Sequence, residues 1–219
     1  MIKKHMLLPA ALLSFFCFCL VLSSPAISKA SPAEEAKALL ESRIDKVINL
    51  LKEPAFTNPA LRSGQIDKIN GEILSIFDFE EFSERTIGKR WNSFTDTQKK
   101  DFMDAFDNLL TATYLEKMDT YDGQSVSYTG TRTSKDNKKV EIQTNVNSAN
   151  KAIPVFYQMI AKNNTWVVYD VRIEGMSLVE NYRSQFSEIF KSGGNIEDLI
   201  VRVRTLAKEM QSKNRSQQK

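Results

Sequence analysis

The stretch Tyr169-Asp170-Val171-Arg172-Ile173-Glu174-Gly175-Met176-Ser177-Leu178-Val179-Glu180-Asn181-Tyr182-Arg183-Ser184-Gln185-Phe186 decides the fold. It opens as an alternating run, Tyr169, Val171 and Ile173, with the period of a strand that buries one face. Gly175 interrupts the run, and Ser177 then offers a helix cap with Glu180 as its capping-box partner. Beyond the cap, Leu178, Tyr182 and Phe186 recur every four residues and share one face of a helix. A strand therefore turns into a helix that packs back on an apolar surface.

Upstream of this stretch the pattern is antiparallel. Val126 and Tyr128 alternate with polar residues, and so do Val140, Ile142, Thr144 and Val146 after a polar turn. A third run places Ile153, Val155, Tyr157 and Met159 on one face and Phe156, Gln158 and Ile160 on the other. Asn163-Asn164 marks a tight hairpin into Trp166–Ile173. That run is apolar on both faces and predicts a strand covered on both sides. Four strands joined by short turns make a meander.

The first half is helical. Ser31-Pro32-Ala33-Glu34 opens a helix with a cap, a proline at its first position and a glutamate at its third. Leu39, Leu40, Ile44, Val47, Ile48 and Leu51 continue it until Pro54. A second helix is expected from Asn58-Pro59 through Ile66, Ile69, Ile73 and Leu74. Asp78-Phe79-Glu80-Glu81 and Thr95-Asp96-Thr97-Gln98 cap two more, the latter carrying Phe102, Phe106, Leu109, Leu110 and Tyr114. After Ser177–Lys191, Gly193-Gly194 is a stop and a last helix runs from Asn195. Residues 211–219 read as a polar, frayed tail. The fold class is α+β, a four-stranded curved antiparallel sheet with helices segregated to one face.

Residues 1–30 differ from the remainder of the 219. Lys3, Lys4 and His5 precede an almost unbroken apolar run from Met6 to Leu22, and Ser28-Lys29-Ala30 supplies small residues for cleavage. These are the features of a secretory leader. The net charge of +3 falls close to neutral without it, since it carries lysines and no acid. Nucleic acid is then a poor partner, because binding it needs a concentrated basic face. Cys17, Cys19 and His5 also leave with the leader, so residues 31–210, read as one domain, hold neither residue type. Disulfides, thiol or histidine nucleophiles and His- or Cys-ligated metals are excluded from that domain.

No phosphate loop, dinucleotide fingerprint or G-x-S-x-G elbow occurs. Glu80, Glu81, Glu84, Asp101 and Asp104 read as solvated helix surface. Asp170, a charge in the most apolar strand, calls for a partner, with Arg172, Arg183 or Arg90 the candidates. Aromatic and methionine side chains are the surplus, and periodicity alone does not separate a packed core from a lined cavity. On the residues alone, three classes stay open: a binding protein, a small enzyme using Asp170 with Tyr169 or Tyr182, and an interaction module with a solid core.

Trp166–Phe186 resembles the signature of the toluene-tolerance family, the MlaC-type periplasmic phospholipid carriers. The likeness extends to Phe77-Asp78-Phe79-Glu80, Thr95–Phe102, Ile153-Pro154-Val155 and Asn195–Arg204, and so spans nearly the whole chain after the leader. Phe156 and Ile160 depart from it, being apolar where relatives often carry charge. The resemblance implies a non-enzymatic, cofactor-free lipid shuttle that keeps the outer membrane asymmetric. Its implied partners are phospholipid, an outer-membrane lipoprotein–porin assembly, and an inner-membrane ABC transporter with its substrate-binding ring. A terpenoid cargo of the hopanoid type is the alternative on the same fold. The expected cradle places Tyr128, Val155, Tyr157, Met159, Trp166, Val168, Val171 and Phe186 with Tyr114 on one wall. Phe102, Phe106 and Leu110 form the other, and Arg90 and Arg183 are candidates for headgroup or mouth contacts.

Overall fold

The sharpest local decision is made at Glu174-Gly175, both of which adopt positive φ, 51° and 86°. Such a pair builds a two-residue hairpin turn, and glycine takes the conformation without strain. The preceding strand therefore folds back on itself as a further strand of two residues before the helix begins. The computed structural model describes residues 30–119 and 121–217, so all of the expected leader but Ala30 lies outside it.

Seven helices and five strands are described: α1 (Pro32–Lys52), α2 (Pro54–Thr57), α3 (Arg62–Leu74), α4 (Phe79–Ile87), α5 (Asp96–Asp119), β1 (Ser125–Thr133), β2 (Lys139–Asn147), β3 (Ala152–Lys162), β4 (Thr165–Ile173), β5 (Met176–Ser177), α6 (Leu178–Lys191) and α7 (Ile196–Gln217). A 3₁₀ turn, Gly88–Ser93, joins α4 to α5. The strands form one antiparallel sheet in the order β1-β2-β3-β4-β5. The α+β architecture read from the sequence is the observed one, with β5 as an added short strand.

The caps behave as their chemistry dictates. Ser31 Oγ accepts from Glu34 N at 3.3 Å while the Glu34 carboxylate accepts from Ser31 N at 2.7 Å. Asp78 and Thr95 accept from the amides of Glu81 and Gln98. Two boundaries differ from expectation. Pro54 starts the short α2 in its own right, because proline suits a first helical position. Asn58 then caps a turn, and α3 begins only at Arg62. At the far end α7 continues through the polar tail to Gln217, held by Asn214 Nδ2 donating to Ala112 O at 2.7 Å.

The sheet's inner face registers Val140 with Met159, Ile142 with Tyr157 and Thr144 with Val155. Helix α1 lies across it, burying Ala36 and Leu40 completely. Between Gln158 and Met159 the register slips, leaving Tyr169 as a bulged residue in β4. The bulge buries both Asp170 and Val171. Beyond β4, the edge is covered at one end by β5 and at the other by residues 76–78: Val168 N donates to Ile76 O at 2.7 Å and Asp78 N to Val168 O at 3.0 Å.

Asp170 corrects the expectation of an ion pair. Its Oδ1 accepts from Val171 N at 2.8 Å and Val179 N at 3.1 Å, and its Oδ2 accepts from the Ser177 hydroxyl at 2.6 Å. No arginine is needed, because three neutral donors, the Val171 amide of β4 with the Ser177 hydroxyl and Val179 amide at the start of α6, solvate the carboxylate and the helix dipole favours it there. Ser177 still caps α6 by accepting from Glu180 N at 3.0 Å. The reciprocal half of the box is not formed, since the Ser177 backbone belongs to the β4–β5 ladder. Replacing Asp170 with Ala strands these donors; urea denaturation should show a loss of about 3 kcal/mol, against about 1 kcal/mol for Ser177→Ala.

Candidate functional site

Two cores, not one, divide the apolar side chains. The helical core unites α4, α5, α6 and α7 around a ladder of rings. Phe106 sits at its centre, with ring centroids 5.5 Å from Phe82, 5.5 Å from Phe102, 5.2 Å from Phe186 and 4.9 Å from Tyr182. The second core lies between α1 and the sheet and contains Leu40, Val140, Ile142, Val155, Met159 and Val168. Leu178, the first residue of α6, packs against both.

At this seam a cavity of about 150 Å³ opens between α3 and α5. Its walls are Asn70, Ile73 and Leu74 of α3, then Phe77, Phe79, Phe82 and Leu178, and the α5 residues Asp107, Leu110, Thr111, Tyr114 and Met118. The α5 residues recur at helical spacing on a stripe beside the Phe102–Phe106–Leu109 stripe that faces the helical core. From Asp107 to Met118 the stripe runs about 16 Å along the helix. Leu74 remains 38% exposed, so apolar surface reaches the solvent at the α3 side. Burial pushes the Tyr114 hydroxyl well above its ordinary pKa. Desolvation, with the negative charge of Asp104 behind it, also raises the Asp107 carboxyl.

A second cleft of about 290 Å³ lies between the 3₁₀ turn and α6, lined by Lys89, Arg90, Arg183, Phe190 and Lys191 among others. Arg183 Nε donates to Arg85 O at 2.7 Å, and the Arg90 guanidinium lies 4.7 Å over the Phe190 ring. This cleft shares no lining residue with the first.

A family model described as MlaC protein matches residues 41–205, well over half of the chain. The chain belongs to the MlaC family. Among solved structures it is similar to a phospholipid-binding protein from Ralstonia solanacearum, determined in complex with a phospholipid. The two share 27% sequence identity and a TM-score of 0.71, over 80% of this chain and 98% of that one. No curated protein matches.

On this MlaC fold the sequence-derived candidates are distributed rather than gathered. Leu110 and Tyr114 line the cavity. Phe102, Phe106 and Phe186 are locked in the helical core, at most 2% exposed. Val155, Met159, Trp166, Val168 and Val171 belong to the α1–sheet core, and Tyr157 and Tyr128 pack against it. The Tyr128 ring also lies under Lys37, at 5.1 Å, and its hydroxyl is buried without a hydrogen-bond partner among the described residues. Burial holds the Tyr157 hydroxyl at about 12. The sheet wall expected opposite Phe102 and Phe106 is thus covered by α1, because a strand face of that apolarity is stabilised most by direct packing. Arg90 and Arg183 are not at the cavity but at the second cleft.

The cavity wall missed by sequence reading is α3 with Phe77, Phe79, Phe82, Asp107, Thr111, Met118 and Leu178. No sequence signal separated these residues, since adjacent apolar positions such as Leu109 and Leu110 can share one core-facing stripe. Asp170 does not support an enzymatic reading, because each of its oxygens is occupied. Tyr182 is 6% exposed, with its ring packed on Phe106 at 4.9 Å. Stability separates filler from lining: Phe106→Ala should cost about 4 kcal/mol by urea denaturation, and Leu74→Ala less than about 1 kcal/mol.

Proposed function

We propose that this protein is a periplasmic phospholipid-binding carrier that takes acyl chains into the apolar cleft between α3 and α5. The observation that carries the reading is that cleft: an apolar groove along α5, partly open at Leu74, in a chain of the MlaC family. The Ralstonia relative, a phospholipid-binding protein, supports the choice of cargo. A leader-like first thirty residues supports the compartment.

The energetics fit a shuttle. A diacyl lipid has about thirty methylenes, and at about 0.8 kcal/mol each their burial outweighs any escape into water on a useful timescale. Cargo therefore has to pass by contact, from an outer-membrane lipoprotein–porin assembly on one side to the ring of an inner-membrane ABC transporter on the other. Such exchange maintains outer-membrane lipid asymmetry and needs no cofactor. An apolar cavity near 150 Å³ accommodates about one benzene ring, so two acyl chains require the cleft to widen. Helix α3 is the side that can yield: it packs on α1 and α2, whereas α5 is fixed along α7. Residues 76–78, stitched to Val168, are the anchor about which α3 would swing.

Organic extraction of the protein purified from a periplasmic fraction, followed by mass spectrometry, tests the reading. About one glycerophospholipid per chain is expected. A terpenoid mass would replace the cargo, and no lipid from well-folded protein would contradict the carrier. Leu110→Trp, which fills the cleft, should lower bound lipid several-fold while leaving the unfolding midpoint nearly unchanged.

A further inference from the structure

The second cleft, between the 3₁₀ turn and α6, gathers four cations and no acid. Lys89, Arg90, Arg183 and Lys191 are exposed and stand at its rim, while Ile87 and Phe186, at most 8% exposed, form its floor. Of the four, only Lys191 has an ion pair among the described residues, with Glu188 at 2.6 Å. The two guanidiniums are held in place. Arg183 donates Nε and Nη2 to Arg85 O, and Arg90 lies 4.7 Å over the Phe190 ring, which also lines the cleft. That leaves Arg183 Nη1 and the Arg90 fork to a ligand. The hydroxyls of the cleft add no donor, since Thr86 Oγ1 and Ser187 Oγ donate to Ser83 O and Ser184 O, each at 2.8 Å. Water solvates each of these cations, so none needs a partner by itself. What distinguishes the cleft is convergence: like charges around a concave, low-dielectric floor add their potentials and attract an anion.

We propose that this cleft docks the protein on a bilayer by taking the phosphate of one anionic phospholipid headgroup between Arg90 and Arg183. The docking site goes beyond the carrier reading, because it shares no lining residue with the α3–α5 cavity. Guanidinium forks match phosphate oxygens, and their weak hydration lets them exchange water for the ligand. A cleft of about 290 Å³ is at the small end of ligand sites and holds a headgroup. Its floor of Ile87, Phe186 and Phe190 favours an amphiphile, whose glycerol and first methylenes follow the phosphate inward. An acidic protein segment or a free phosphate ion would meet the charged rim and gain nothing from that floor. Lys89 and Lys191 add charge for the neighbouring headgroups of an anionic surface.

The test is co-sedimentation with vesicles of phosphatidylglycerol or of phosphatidylcholine bearing identical acyl chains. Preferential binding to phosphatidylglycerol is expected, weakening as salt is raised. Arg90→Gln and Lys89→Gln should each lower that binding roughly fivefold. Neither side chain makes a hydrogen bond or ion pair among the described residues, so both variants should keep the wild-type unfolding midpoint. Lys208→Gln, the same change of charge on α7 outside the cleft, should leave binding unchanged. Free glycerol 3-phosphate should compete only weakly. Equal binding to both vesicles, or phosphatidylglycerol binding lowered as much by Lys208→Gln as by Arg90→Gln, would overturn the proposal. Strong competition by glycerol 3-phosphate would make the occupant a free phosphate, and no binding to either vesicle would leave the cleft to an acidic protein surface; either result overturns bilayer docking. Lipid extraction reads the α3–α5 cavity and not this cleft, so the carrier reading stands or falls separately.

Discussion

Asp170 is the constraint on which the arrangement depends. A buried carboxylate without a cation must be solvated by the chain itself, and here the donors come from Val171, Ser177 and Val179. They are brought together only if β4 bulges at Tyr169, turns at Glu174-Gly175 and starts α6 at Leu178. Separating sheet from helix would strand the charge, at a cost of several kcal/mol. The two cores are thereby held at a fixed seam, and Leu178 sits where both meet the cavity.

From that seam the two cavity walls differ in how they are packed. The aromatic ladder and the α5–α7 pair keep one cavity wall in place, with Phe82 and Phe106 stacked at 5.5 Å. Gly193 turns the chain between α6 and α7, and a Cβ on Gly194 would lie 2.8 Å from Ile189 O, so that turn has no slack. Helix α3, by contrast, leaves Ile73 and Leu74 against the cavity with solvent beyond. A carrier needs this asymmetry. One wall must hold its shape while the other admits a chain far larger than the resting space.

Much of the fold was legible because it is written in short-range chemistry. Four helix caps, the Asn163-Asn164 hairpin and the alternation of Val140, Ile142 and Thr144 are local signals, and each falls where its chemistry places it. The site was legible only in part, because lining and filling look alike along a helix. Phe106 and Leu110 share one amphipathic pattern, yet one is wholly buried and the other faces the cavity. What separates them is the placement of α3, a tertiary fact with no sequence period. Asp170 failed for a different reason: the expectation weighed charges as partners and overlooked backbone amides gathered by a turn. Arg90 and Arg183, candidates for headgroup or mouth contacts, line the second cleft, which shares no residue with the cavity.

The central claim is that acyl chains enter between α3 and α5 rather than between α1 and the sheet. Photo-crosslinking with a phospholipid carrying a diazirine near its acyl terminus, followed by peptide mass spectrometry, tests it most directly. Adducts are expected on Ile73, Leu74, Leu110, Tyr114 and Met118. Labelling confined to Val155, Tyr157 and Met159, on the sheet face beneath α1, would contradict the account.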